Sequence, residues 1–245
     1  MLKTFDFYIL RARVYPALIA LVPLFAQLVA YFPELPTNAM GKALFTIAGS
    51  TGLLYLLATM SRSAGKKTEK RLLRKWGGWP TTIWLRHRDA NVLPSTKQRY
   101  HRYLQAHIHN ASIPTEEQER RDPDAADQVY ASAVQWLKEQ RRGDEYSLIN
   151  KENTEYGFRR NMRGIKGIAI AISLLGVLAS AARVGIEVSS RTVEEPEMLS
   201  ELWLPLGAGL VGVIAFLIWA IRVNDAWVRE AGDQYARALL ASCDV

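Results

Sequence analysis

The chain has 245 residues, 49% of them hydrophobic and 22% charged, with 31 Lys and Arg against 24 Asp and Glu for a net charge of +7. Such averages suit a soluble protein of one or two domains, but the apolar residues are bunched, which argues against a soluble, disordered or secreted chain. The single cysteine, Cys243, excludes an internal disulfide and a Cys-based zinc site.

Four stretches lack Asp, Glu, Lys and Arg altogether: residues 14–33, 43–61, 167–182 and 202–221. A helix needs about 20 mostly apolar residues to cross a bilayer. The first stretch follows Lys3, Arg11 and Arg13, as a signal peptide would, but its apolar run is too long and no small-x-small cleavage pattern follows at once. With the second stretch it reads as a helical hairpin, because neither keeps the polar face of a soluble core helix. The third is the shortest; Lys166 and Arg183 at its ends extend it by snorkelling toward headgroups. The fourth carries Trp203 and Trp219 near its ends, as an aromatic belt does.

Flanking charge sets the orientation. Basic residues gather before the first span, after the second (Arg62, Lys66, Lys67, Lys70, Arg71, Arg74, Lys75) and before the third, whereas the loop 186–201 is acidic. The positive-inside rule then places both termini and the 62–165 segment in the cytoplasm. The expected fold is an all-α integral membrane protein: a first transmembrane hairpin over 1–61, a helical cytosolic domain over 62–165, a second hairpin over 166–222 and a C-terminal cytosolic helix over 223–245.

Within the cytosolic segment, Ser63 to Lys75 continues the second span, and Gly77, Gly78 and Pro80 break it. Ser95 is the expected N-cap of a helix over 96–110 with Tyr100, Tyr103, Leu104, His107 and Ile108 on one face. Pro114 to Glu117 opens a short turn. Asp122-Pro123 caps a helix over 124–142 that presents Val129, Ala133, Trp136 and Leu137, and Gly143 ends it. Residues 144–163 then lead into the third span as one long helix.

Charge within this segment is uneven. Residues 62–121 hold 14 basic and 5 acidic side chains, a balance of +9, and 122–166 hold 8 of each. Three readings stand: attraction to anionic lipid headgroups; a site for an anionic ligand on Lys66, Lys67, Lys70, Arg71 and Arg74; and nucleic-acid stacking on Trp76, Trp79, Trp84, Tyr100 and Tyr103. Direct DNA binding is disfavoured, because aromatics beside a membrane serve more often as interfacial anchors.

No catalytic cluster, cofactor motif or metal site is expected. His87, His101, His107 and His109 read as partly exposed histidines, and His107-x-His109 does not put two rings on one helical face. The GAGLVG run at 207–212 matches a dinucleotide fingerprint in letters alone, because it lies inside a hydrophobic span with no strand before it. Its small residues, Gly207 and Gly212 among them, suit close helix approach, as do Gly49, Gly52, Gly176 and Ser180. Gln27 and Ser50 are candidate interhelical or pore-lining groups. No charge lies deep in any span, which disfavours proton pumps and ion-coupled transporters.

Tyr156-Gly157-Phe158-Arg159-Arg160-Asn161 stands just before the third span. Gly157 and Gly164 each cost about 1 kcal/mol in a helix interior, so a bend, a hinge or a tight backbone contact is expected there. The element is either an interfacial collar or a coupling element between cytosolic domain and membrane helices. This YGFRRN stretch ahead of a Gly-rich apolar helix, together with the layout of two hairpins around a helical insert, resembles four-transmembrane effectors of bacterial nucleotide-signalling anti-phage defence, including the Hailong type. The resemblance implies a homo-oligomeric, channel-like effector of the bacterial inner membrane. It would be opened by a nucleotide or oligonucleotide signal from a partner nucleotidyltransferase. The alternative is a membrane adaptor without a pore that recruits a partner enzyme.

Overall fold

The computed structural model describes the backbone of residues 7–34, 37–48, 51–110, 112–190 and 198–244, and the side chains of the same residues except 7, 44–48, 51, 190 and 198–201. Among them the chain is all-helical, with no strand. It divides into two compact units, Met1–Thr68 with Gly157–Asp225, and Glu69–Tyr156 with Ala226–Val245.

The first unit begins with α1 (Phe7–Ile9), a π turn (Leu10–Val14) and α2 (Tyr15–Tyr31), which follow without a break. α3 (Ala39–Ala48) and α4 (Thr51–Trp76) come next. The expected second span, 43–61, falls on α3 and the start of α4; residues 49 and 50 lie between them, so Ser50 is outside the described residues. α9 (Ser147–Ser190) is one helix of 44 residues, about 66 Å long at 1.5 Å per residue. α10 (Met198–Leu217) runs into a second π turn (Ile218–Arg222). Most of the acidic loop, 191–197, lies outside the described residues.

Among the described residues, three helices are long and apolar enough to cross a membrane: Leu10–Tyr31, the apolar part of Asp144–Ser189, and Leu202–Arg222. Their packing inverts the water-soluble pattern. The buried positions are mostly small, with Ala17, Ala20, Ala30, Ala169, Ser173, Ser180 and Ala208 at 8% exposure or less, while Val22, Leu24, Leu175, Leu178, Leu206, Leu210 and Ile221 are exposed. In water an exposed apolar surface of this extent is costly. In lipid it is the solvated face, and small residues draw the backbones together. A Cβ added to Gly212 would stand 2.9 Å from Val177 Cγ2, and one on Gly209 would stand 3.0 Å from Ser180 Cβ. Gly207, expected to share that role, meets nothing within 4 Å. The close approach of α10 to α9 therefore runs through Gly209 and Gly212.

The second unit is built from the end of α4, α5 (Pro80–Ile83), α6 (Pro94–His107), α7 (Glu116–Arg121), α8 (Pro123–Gln140), the start of α9 and α11 (Asp225–Ala241). Its core is of the ordinary soluble kind: Leu85, Leu104, Tyr130, Leu137, Leu239 and Leu240 are each at most 1% exposed. α11 belongs to this core rather than forming a separate tail, since Val228, Ala231, Ala236, Leu239 and Leu240 are all buried. Thr115 caps α7 with a reciprocal Gln118 contact, and Asp122 caps α8 before Pro123. α6 starts earlier than Ser95 would place it, with Leu93 as N-cap and Pro94 in the first turn, and no side chain caps it. Pro94, whose φ is already set for the first turn, draws the start forward. Gly143 takes φ 139°, a region that L side chains avoid, and ends the α8 region.

Candidate functional site

The segment singled out by its glycines forms a helix junction in the first unit. Gly157, Asn161 and Gly164 recur at four- and three-residue spacing and therefore share one face of α9. A Cβ on Gly157 would lie 3.1 Å from Tyr8 Oη and 3.2 Å from Ala12 Cβ. A Cβ on Gly164 would lie 2.5 Å from the Gly65 nitrogen, and one on Gly65 would overlap the Asn161 side chain. Of the bend, hinge or tight contact expected from these glycines, the structure shows the tight contact: α9 stays helical, and α4 meets it backbone to backbone.

Asn161 is fully buried and donates from Nδ2 to the Ala12 carbonyl at 2.7 Å. Its Oδ1 accepts from Arg160 Nε at 3.2 Å. Ala12 lies in the first π turn. The residue four positions on is Pro16, which has no N–H to give, so the Ala12 carbonyl needs another donor. Asn161 supplies it. Two residues after Gly164, Lys166 does the same for the second π turn: its Nζ donates at 2.9 Å to both the Ala220 and Val223 carbonyls. Arg163 Nε donates to Asp225 Oδ1 at 2.9 Å just beyond. One stretch of α9 thus touches α4 and closes the hydrogen bonding of both π turns. Sequence reasoning found Gly157 and Asn161 here but read Lys166 as a snorkelling flank; it missed Gly65 altogether.

Tyr156, Phe158, Arg159 and Arg160 divide differently. Tyr156 is 5% exposed in the second unit, packed with Leu72, Val228 and Ala231 and edge-on to Trp79 at 6.2 Å between ring centroids. Its hydroxyl donates to Glu69 Oε1 at 3.3 Å. Arg160 is 5% exposed, while Phe158 and Arg159 are half-buried. Gln27, 7% exposed, donates from Nε2 at 2.8 Å to both the Gly176 carbonyl and Ser180 Oγ, so it joins α2 to α9 within one chain. Lys66, Lys67, Lys70, Arg71 and Arg74 are all exposed on α4.

The second unit holds a buried polar cluster that the sequence did not announce. Glu119, 2% exposed, accepts the backbone N–H of His87 at 2.7 Å, the Tyr130 hydroxyl at 2.8 Å and Arg88 Nη1 at 3.1 Å. Burial alone would raise its pKa, but these donors and the Arg88 charge more than offset that and hold it below the usual carboxylate range. Lys97, 4% exposed, donates to the carbonyls of Arg86 and Asp89, and burial lowers its pKa. His101 is buried, not a partly exposed helix histidine. Its Nε2 donates to the Leu85 carbonyl at 2.7 Å, and its ring stacks on Tyr130. Burial, aided by the His87 and Lys97 charges, pushes its pKa down to about 4.

A cavity of about 850 Å³ opens beside this cluster, lined by His87, Arg88, Ser95, Lys97, His101 and Glu116 among others. The buried polar groups on its wall are engaged with the backbone of residues 85–89, so their role on this geometry is to hold that loop. Cys243 is buried, and burial pushes its thiol up to about 12. Among the described residues no group of three or more His, Cys, Asp or Glu could hold a metal ion. No family model, curated protein or solved structure matches the chain.

Proposed function

We propose that the protein is a non-enzymatic, channel-like effector that acts as a homo-oligomer in a bacterial inner membrane, with the α5–α8 and α11 unit as its cytosolic sensor. The observation that supports this reading is the junction on α9. A single helix supplies the start of the sensor's core and, ten residues on, the side chains that complete both π turns at the ends of two membrane helices. A π turn is a helix held one register away from the α form. Moving Asn161 and Lys166 removes its hydrogen-bond partners and favours a change of register in the spans. A signal acts only through a difference in its affinity for the two states. The place in nucleotide-signalled defence rests on the resemblance of Tyr156–Asn161 and on the layout.

The test is leakage without an activator. Asn161→Ala and Lys166→Met should depolarise cells on expression, read with a potential-sensitive dye, while the parent chain leaves the potential intact. The channel reading fails if both variants reach the membrane folded and neither alters the potential of cells nor the conductance of liposomes.

A second reading has its own support. Gln27 and Ser180 are bonded within one chain, and Ser173 Oγ donates to the Ala169 carbonyl of its own helix at 2.8 Å. Spans whose polar groups are engaged in this way suit a membrane adaptor with no pore. That reading expects a single protomer by light scattering in detergent and a stably co-purifying enzyme.

A further inference from the structure

Helix α4 changes character along its length. Tyr55, Leu56 and Met60 are 70%, 53% and 56% exposed, the same outward apolar pattern that α2, α9 and α10 show. From residue 62 on, the exposed positions, Ser63 apart, are basic: Arg62, Lys66, Lys67, Lys70, Arg71, Arg74 and Lys75. Over the same stretch Ser61, Gly65, Glu69 and Leu72 are buried at three- and four-residue spacing, so the helix has one packed edge. At 3.6 residues per turn the cations occupy the rest of the circumference. The one carboxylate of the stretch, Glu69, is 4% exposed and turned to the packed edge.

A positive collar beside a span explains only part of this face. The headgroup layer of one leaflet is about 5–8 Å deep. Lys70 lies ten residues beyond Met60, about 15 Å along an α-helix, and Lys75 about 22 Å. If α4 stood upright, the distal cations would be past the phosphates by a Debye length, about 8 Å, or more. A soluble anion is also a poor match. The face is a row on the outside of one helix, whereas a small anion is held by groups converging from several sides. A row of this length fits many phosphates in a sheet, and it continues directly from lipid-facing residues.

We infer that α4 leaves the bilayer obliquely and lays its basic face, Lys70, Arg71 and Arg74 included, on the anionic headgroups of the inner leaflet. Arginine forks pair with headgroup phosphates, and the lysines add point charge.

The experiment uses the full chain in micelles containing equal amounts of phosphatidylglycerol and phosphatidylcholine, with retained lipids counted by native mass spectrometry. The parent should retain phosphatidylglycerol preferentially, and high salt should weaken that preference. The proximal set R62Q/K66Q/K67Q and the distal set K70Q/R71Q/R74Q should each lower the enrichment, the distal set by at least about tenfold if each cation contributes as a headgroup neighbour does. All six side chains are exposed, so thermal midpoints should stay near the parent's. Parental enrichment in a folded distal variant overturns the inference. So does protection of the parent, but not of the distal variant, by sodium pyrophosphate in lipid-free micelles with lipid counts unchanged, since that identifies a soluble anion as the occupant.

Discussion

Mild acid should destabilise the second unit through His101. The ring is 9% exposed, carries its proton on Nε2 toward the Leu85 carbonyl, and stacks on Tyr130. Burial is the main reason its pKa falls from 6.5 to about 4. The folded state therefore resists protonation, while the unfolded state takes up a proton below pH 6.5. In that window the unfolded chain binds more protons, so stability falls as pH falls, and the loss is complete near pH 4. Two and a half units correspond to about 3 kcal/mol in full, and linkage gives about 2 kcal/mol of it between pH 7.5 and pH 5. For a chain of this size that is a drop of about 4–8 °C in the midpoint. Glu119 acts in the same direction but in a lower window: its depressed pKa contributes stability above the unfolded value of 4.5 that is lost as pH falls below it. Stopping at pH 5 keeps the two apart. The assay is thermal unfolding of the full chain in detergent, followed by tryptophan fluorescence at both pH values. His101→Gln keeps a donor for Leu85 and removes the titration, so its midpoint should be lower at pH 7.5 but nearly flat toward pH 5. An equal fall in parent and variant would refute the assignment.

Other expectations follow from the same contacts. Tyr130→Phe should cost about 1–3 kcal/mol by stripping one donor from buried Glu119, and Glu119→Gln about 3–5 kcal/mol by leaving Arg88 and the loop amides without their carboxylate; chemical denaturation of the full chain reads both. Gly164→Ala should cost about 1–3 kcal/mol or block insertion, because the added carbon meets the Gly65 backbone at 2.5 Å. Gly167→Ala, with nothing within 4 Å, should be neutral or stabilising by up to about 1 kcal/mol. Thermal midpoints of the pair separate a packing glycine from a merely tolerated one. Gln27→Leu should cost only about 0.6–1.7 kcal/mol by midpoint in detergent, as single interhelical hydrogen bonds in membranes do.

Apolar bunching is a composition signal, and it carried the membrane helices: three of the four uncharged runs fall on helices long enough to cross. The cap at Asp122 was legible because capping is local. The junction was half legible. Gly157 and Gly164 are conspicuous in a helix, but their partners Ala12 and Gly65 are ordinary small residues far away in the chain. Lys166 resembled a snorkelling flank because the carbonyls it takes, those of Ala220 and Val223, lie at the end of a helix, and nothing in the sequence pairs that end with α9. His101 reads as a partly exposed histidine, and nothing sets Lys97 and Glu119 apart from their charged neighbours in the sequence. Their burial follows from a loop whose backbone groups need partners, which is a tertiary fact. The packing of Tyr156 was not legible for a related reason: aromatics next to arginines mark interfaces and soluble cores alike.

The two units are held together by different physics, and this makes them separable. In the first, small residues and backbone contacts set the packing while large apolar side chains face outward, the pattern that suits lipid as solvent. In the second, a conventional apolar core surrounds ions whose charge states are fixed by the fold, so its stability depends on pH. Delipidation should therefore loosen the α2, α9 and α10 packing with little effect on the titration of His101, and acid should act in the reverse order. α9 belongs to both. A helix of 44 residues without a proline or an internal break is a stiff element. Its glycines at 157, 164 and 176 each meet another helical segment of the first unit, so packing as well as stiffness sets its place there.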